Sequence, residues 1–315
     1  MTTFAPTPIT PLDTDRRGNR LFLKREDLLP YSFGGNKARI GLCYLEDMRR
    51  KGCTHMVAYG NARSNLCRVL SNLCAGAGVP ITILSPADDD GQRRKAFNEE
   101  LCRMFGAQVV PCQKTNVAQS VQQTLDDLTA AGQKPYYIYG DRFGKGNEAT
   151  PTAAYVPVYD EIVMQEQALG VRFDMIALAT GTGMTQAGLL CGSRGDARRI
   201  VGLSVARDAA AAGQHIAAYA DAWLQANGLA PLDKSRIEVY DGERAQYGVY
   251  GDGVAQVMRE MMTRHGVPMD GTYTGKAFYA LRRLLASEGT TGQNILFLHT
   301  GGTPLFFDAL QVENK

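Results

Sequence analysis

The chain has 315 residues, of which 44% are apolar and 21% charged, with a formal net charge of +2. That balance excludes a disordered chain, and the short clusters Arg49-Arg50-Lys51 and Arg93-Arg94-Lys95 read as solvated helix ends, so nucleic acid is not an expected partner. The seven cysteines form no CxxC pair, which argues against a zinc site or a disulfide framework and for a reducing compartment.

In chain order, Leu21-Phe22-Leu23 predicts a short strand running into Lys24-Arg25-Glu26-Asp27. Next comes Phe33-Gly34-Gly35-Asn36-Lys37-Ala38-Arg39, with two glycines able to take positive φ and Asn36 as a helix N-cap. Lys37 falls in the first turn of a helix over 38–51. A partly desolvated lysine near the positive end of a helix loses its proton more readily than a surface lysine. It can then form a Schiff base with a carbonyl cofactor. The same residues also read as a solvated cap, and this stretch alone leaves both readings open.

A strand over 55–59 ends at Gly60, and Ser64-Asn65-Leu66-Cys67-Arg68 opens a helix over 66–77. Strands at 80–84, 108–110 and 136–139 alternate with helices at 92–105 and 118–131. A polar, glycine-bearing break from Gly140 to Thr152 precedes a helix over 153–169. Strand 175–179, helix 184–192, strand 200–205, helix 209–227 and strand 237–240 continue the pattern. Helices 254–265 and 276–287 lead into a last strand over 294–299. This alternation predicts an α/β fold of open twisted, mostly parallel sheets flanked by helices, in two lobes. Ligands in such sheets gather beyond the carboxyl ends of the strands. Residues 1–20 hold three prolines and no apolar signal core, and no stretch reaches membrane-spanning length, so a cytoplasmic protein that binds no membrane is expected.

The polar stretches after the strands carry the chemistry. Ala179-Thr180-Gly181-Thr182-Gly183-Met184-Thr185 leaves an apolar strand and enters a helix, which is a phosphate cradle or simply a tight turn. Gln186 stands where a dinucleotide fingerprint needs its third glycine, and no lysine follows Gly183 as a Walker A loop requires. Ser64 either caps its helix or holds a substrate carboxylate with the exposed N–H groups, leaving Asn65 for a cofactor hydroxyl. Arg68 faces that loop or solvent. Leu298-His299-Thr300-Gly301-Gly302 ends the last strand, where His299 reads as a core or cofactor-flanking residue, lacking any Ser–His–Asp or metal-ligand spacing. Tyr247 and Tyr273 stand beside glycines, which favours a loop-borne, site-facing place for them.

In this order the motifs resemble the tryptophan-synthase-β type of pyridoxal-phosphate enzyme, and within it the 1-aminocyclopropane-1-carboxylate deaminase / D-cysteine desulfhydrase family, from Leu23 to Gly302. The resemblance implies a large cofactor-binding domain of residues 1–37 plus 147–315, a small domain of 38–146, and an active site between them in a homodimer. It implies pyridoxal 5′-phosphate as cofactor, carried by Lys37, which also moves the α-proton of a small amino-acid substrate. Asn65 is then the partner of the cofactor's 3′ oxygen, and Ser64 lies near the substrate carboxylate. Thr180, Gly181, Thr182, Gly183, Met184 and Thr185 hold the 5′-phosphate. Tyr247 and Tyr273 match the family's substrate-contacting tyrosines, and Thr300 the residue beside the pyridine nitrogen.

Two positions discriminate within the family: its deaminases have a glutamate after the second tyrosine and a leucine before the terminal glycine pair. Here those positions are Thr274 and Thr300, as in the desulfhydrase type. A glutamate beside the pyridine nitrogen keeps it protonated and deepens the electron sink for ring opening. A threonine hydroxyl leaves a shallower sink, sufficient where a β-substituent departs. The expected activity is therefore an α,β-elimination like that of D-cysteine desulfhydrase, giving a 2-oxo acid, ammonia and the leaving group. A β-replacement synthase and a 1-aminocyclopropane-1-carboxylate deaminase are the alternatives. Arg63, Arg142 and Met184 depart from the small residues usual in the family; the two arginines either meet a second anionic group on the substrate or are surface residues.

Overall fold

The computed structural model describes residues 4–87, 91, 95–242 and 248–313, the last three without their side chains. Its strands are β1 (Ile9–Thr14), β2 (Arg20–Lys24), β3 (His55–Tyr59), β4 (Ile81–Pro86), β5 (Gln108–Cys112), β6 (Pro135–Tyr137), β7 (Met175–Thr180), β8 (Arg199–Ser204), β9 (Glu238–Tyr240) and β10 (Asn294–Leu298). The helices are α1 (Asn36–Arg50), α2 (Asn65–Ala77), α3 (Phe97–Met104), α4 (Val117–Ala130), α5 (Ala149–Ala153) and α6 (Val156–Leu169). They continue with α7 (Met184–Gly192), α8 (Ala209–Ala226), α9 (Asp252–His265), α10 (Thr274–Ser287) and α11 (Thr303–Glu313).

Two sheets result, ordered β1-β2-β10-β7-β8-β9 and β5-β4-β3-β6. All pairings are parallel except that of β1 with β2. Both faces of the larger sheet are covered, because its strands are apolar at successive positions and side chains alternate between faces. Leu21, Leu23, Met175, Ala177, Val201, Leu203, Ile295 and Phe297 pack against Val257 and Met261 of α9 and Leu281 and Leu284 of α10. Their neighbours Phe22, Ile176, Leu178, Ile200, Leu296 and Leu298 join a second core with Ile162 of α6, Leu189 of α7 and Ile216 of α8. That core runs on into the smaller sheet through Met56, Ala58 and the buried faces of α1 and α2, while Val57 turns the other way onto Val121 of α4.

Each sheet has one place where strand order turns back: β7 has β8 and β9 on one side and β10 on the other, and β3 has β4 on one side and β6 on the other. Such switch points open a crevice at the carboxyl ends of the strands. Four elements differ from the sequence reading. β1 was not expected, and Pro11 within it is tolerated because an edge strand leaves one side without ladder bonds. The helix expected over 153–169 is two, α5 and α6, with Pro157 in the first turn of the second, where its missing N–H costs nothing. The terminal helix α11 went unread because it follows two glycines. Of the helix expected over 92–105, α3 begins at Phe97, and residues 92–94 lie outside the described ones. Among the described residues no helix is long and apolar enough to cross a membrane.

Candidate active site

Lys37 is reached through five successive residues with positive φ: Tyr31 at 71°, Ser32 at 44°, Phe33 at 68°, Gly34 at 61° and Gly35 at 97°. A non-glycine residue in that region costs roughly 1–2 kcal/mol, so such a run persists only where the surroundings fix it. Here the Gly35 N–H donates to the Glu26 carbonyl at 2.9 Å and the Asn36 N–H to the Thr300 carbonyl at 3.1 Å. The glycines are required by contact as well as by φ. A Cβ on Gly34 would lie 2.4 Å from the carbonyl oxygens of Asp27 and Leu29, and one on Gly301 would lie 2.6 Å from the Gly35 Cα. The two glycine pairs that looked separate in the sequence are thus one backbone-to-backbone contact.

Below this turn lies a buried ionic cluster. Glu26 accepts from Arg39 Nε at 2.8 Å, Thr7 Oγ1 at 2.7 Å and Tyr155 Oη at 2.6 Å. Glu161 pairs with Lys24 and with Arg39. Burial pushes the Glu26 carboxyl up, but the hydrogen bond and charge of Arg39 outweigh it and leave the group below its ordinary value. Lys24 is thereby bound in an ion pair and is not among the residues lining the cavity that Lys37 borders.

A cavity of about 820 Å³ opens at the carboxyl ends of β3, β7, β8 and β10, a volume within the range of small-molecule sites. Lys37, Ser64, Asn65, Thr180, Gly181, Thr182, Gly183, Met184, Thr185, Tyr273 and Thr300 all line it. Tyr247 lies outside the described residues, although its neighbour Gly248 is on the wall. Thr274 is placed differently: it is fully buried in the first turn of α10, and its hydroxyl donates to Asp270 at 2.9 Å. Asp270 also accepts from the N–H groups of Thr272, Tyr273 and Thr274, so this carboxylate caps the helix that presents Tyr273.

The threonine–glycine loop becomes the first turn of α7, with Gly183 as N-cap at φ 89°. A Cβ there would meet Ile216 Cγ1 at 2.8 Å. The first N–H groups of a helix have no intrahelical acceptor and lie at the positive end of its dipole. Gln186, which breaks the dinucleotide fingerprint, has a structural task. It accepts from Thr180 Oγ1 at 2.9 Å and donates to the carbonyls of Ile200 at 3.1 Å and Glu238 at 2.8 Å, tying the loop to β7, β8 and β9. Thr180 therefore spends its hydroxyl on Gln186. Asn36 corrects the expected cap: Gly35 is the N-cap of α1, and the Asn36 amide donates to Thr185 Oγ1 at 2.8 Å, linking the lysine turn to the threonine–glycine loop. Ser64 does cap its helix, accepting from the Cys67 N–H at 3.2 Å.

Among the described residues Lys37 has no hydrogen-bond or ion-pair partner, and burial lowers its amine from 10.5 to about 8. At pH 7 roughly one such amine in ten is neutral, against about one in a few thousand for an ordinary lysine. We expect covalent capture of added pyridoxal phosphate by the cofactor-free protein, trapped with borohydride, to rise with pH through a midpoint near 8. A midpoint near 10 would contradict the placement of this amine. The donor set suits an aldehyde that carries a phosphate: an unpartnered, partly neutral amine, orphaned N–H groups at a helix start, and no carboxylate among the described wall residues.

Arg63 lies on the cavity wall, as its position suggested. Arg142 does not: it is exposed, stacks on Phe143 at 4.8 Å and borders a separate surface depression, outside this cavity. The wall also includes Arg207 and His215, which the sequence reading missed. Arg207 follows β8 at its carboxyl end and donates to the Gly181 carbonyl. Its place at a strand end was the available signal, but no glycine or motif marked it.

A family model described as "Pyridoxal-phosphate dependent enzyme" matches residues 1–301. A relative from Pyrococcus furiosus is 30% identical over 290 residues, covering 90% of this chain and 85% of its own. A Burkholderia cenocepacia protein named 1-aminocyclopropane-1-carboxylate deaminase is 28% identical over 318 residues, covering 96% of this chain and 93% of its own. The crystal structure of a protein described as an ACC deaminase homologue superposes with a TM-score of 0.83 at 29% identity, over 98% of this chain and 94% of that one. A cysteine synthase from Entamoeba histolytica shares the fold, with a TM-score of 0.66 at 17% identity over 95% of this chain and 86% of that one.

Proposed function

The chain belongs to the pyridoxal-phosphate dependent enzyme family, and from that premise we propose that it is a lyase catalysing α,β-elimination on a small amino acid, as D-cysteine desulfhydrase does. When bound, pyridoxal phosphate supplies the sink for the electron pair left at the α-carbon. The chain's own residues do the rest. Lys37, with its lowered amine, holds the cofactor and then takes the α-proton, while the β-substituent leaves with its bonding pair. The start of α7 holds the phosphate, and Ser64 with the first N–H groups of α2 orients the substrate carboxylate. Asn65 would bond the ring oxygen and Thr300 the ring nitrogen, Tyr273 would contact the substrate, a role the reading also gives to Tyr247, and Thr274 supports this wall through Asp270. The same reading includes the domain division at 37/38 and 146/147, a homodimer and a cytoplasmic location.

The observation that carries elimination is the wall itself. Thr300 borders the cavity, and no described wall residue is a carboxylate, so none of these residues would hold a ring nitrogen protonated. Ring opening of 1-aminocyclopropane-1-carboxylate is the second reading, favoured by the name of the Burkholderia relative. Incubating the holoenzyme with D-cysteine is expected to give sulfide and 2-oxo acid in equal amounts, with no 2-oxo acid from 1-aminocyclopropane-1-carboxylate. The reverse result would establish the deaminase. Loss of 2-oxo acid on adding a thiol or amine, with a new adduct in its place, would point to β-replacement.

A further inference from the structure

Arg68 is a charge in an unfavourable place. It is fully buried in the first turn of α2, where the helix dipole opposes a cation, and among the described residues it has no carboxylate partner. Among the described residues Nε and Nη1 have no hydrogen-bond partner. Nη2 alone makes contacts, 3.3 Å to the Gly34 carbonyl and 3.3 Å to Asn65 Oδ1. Burying a guanidinium this way carries a desolvation cost that two carbonyl contacts do not recover. Helix packing gives no reason for it, since a methionine would fill the space without that cost.

Both contacts belong to the site. Gly34 is the fourth residue of the positive-φ run that delivers Lys37, and Asn65 lines the cavity. Asn65 Oδ1 accepts a second bond, from Asn98 Nδ2 at 2.9 Å. We propose that Arg68 and Asn98 are positioning residues that bind the Asn65 side-chain oxygen from behind, turning its NH₂ into the cavity, while Arg68 also holds the lysine turn through Gly34. This inference rests on the reading that Asn65 donates to the ring oxygen of the cofactor. An amide whose oxygen is bound by a cation is polarised, and its N–H becomes a stronger donor to an oxygen that carries negative charge. Burial brings the Arg68 guanidinium down to about 10, which leaves it charged under physiological conditions.

Three proteins test this: Arg68→Lys, which keeps a charge on a shorter side chain and so draws it back from both oxygens, Asn65→Ala, and the double variant. Each is loaded with pyridoxal phosphate, and the readouts are the cofactor dissociation constant and the pH midpoint of its visible absorbance. R68K should weaken cofactor binding on the order of tenfold and raise the midpoint, because the ring oxygen loses support for its anionic form. In the N65A background the same change should add nothing to the midpoint shift. A folded R68K with an unmoved midpoint overturns the inference, and so does a shift that persists in N65A. Should R68K not fold, Asn98→Ala decides in its place, since it removes the other donor to the same oxygen: no shift there overturns the inference. If N65A itself leaves affinity and spectrum unchanged, the reading of Asn65 fails and takes this inference with it.

Discussion

Lys37→Ala is expected to lower the turnover of the holoenzyme by at least about 10²–10⁴-fold, the contribution of a positioned general base. The loss should fall on kcat, because the proposed phosphate and carboxylate sites lie on other elements, the starts of α7 and α2. Stability should barely change: the amine has no partner among the described residues, so its removal orphans nothing. Steady-state kinetics beside thermal unfolding would check both halves. Retained turnover would remove Lys37 from the reaction. A collapse of stability would mean that the lysine serves the fold.

The second large effect is expected from Gly35→Ala. Gly35 is at φ 97° and ψ 167°, a region open essentially to glycine alone, and an added Cβ would stand 2.7 Å from the Thr300 carbonyl. Backbone strain and overpacking together should cost roughly 3–5 kcal/mol. Relief requires the Lys37 turn and the Thr300 turn to separate, which breaks the Asn36 N–H bond to the Thr300 carbonyl. The variant should therefore lose cofactor affinity even under conditions where it stays folded. Equilibrium unfolding and cofactor titration measure the two effects. Unchanged affinity in a folded G35A would show that the two turns need not touch for the site to form.

Much of this was legible in the sequence because it depends on local rules. Alternating strand and helix patterns predict the parallel sheets, and the family resemblance carried by the motif order, beside the rule that ligands gather at strand ends, implies one site for Lys37, Asn65 and the Thr182 loop. What stayed hidden is long-range. Nothing local shows that Gly35 and Gly301 abut, that the Asn36 amide leaves its own helix for Thr185, or that Gln186 reaches across to the Glu238 carbonyl. Arg68 and Arg142 make the point in opposite directions. Both are arginines close to glycine-bearing loops, yet one is fully buried against Asn65 and the other stacks on Phe143 in solvent. Burial is decided by what packs above a residue, and sequence neighbours do not supply that. Thr274 shows the same limit: its chain position suggested a ring contact, while its hydroxyl is committed to Asp270.

The most direct measurement is to reduce the holoenzyme with borohydride and map the modified peptide by mass spectrometry. The account predicts one pyridoxyl adduct, on Lys37, with loss of the visible absorbance. An adduct on Lys24, held in its ion pair with Glu161, or on Lys276, buried in α10, would contradict it.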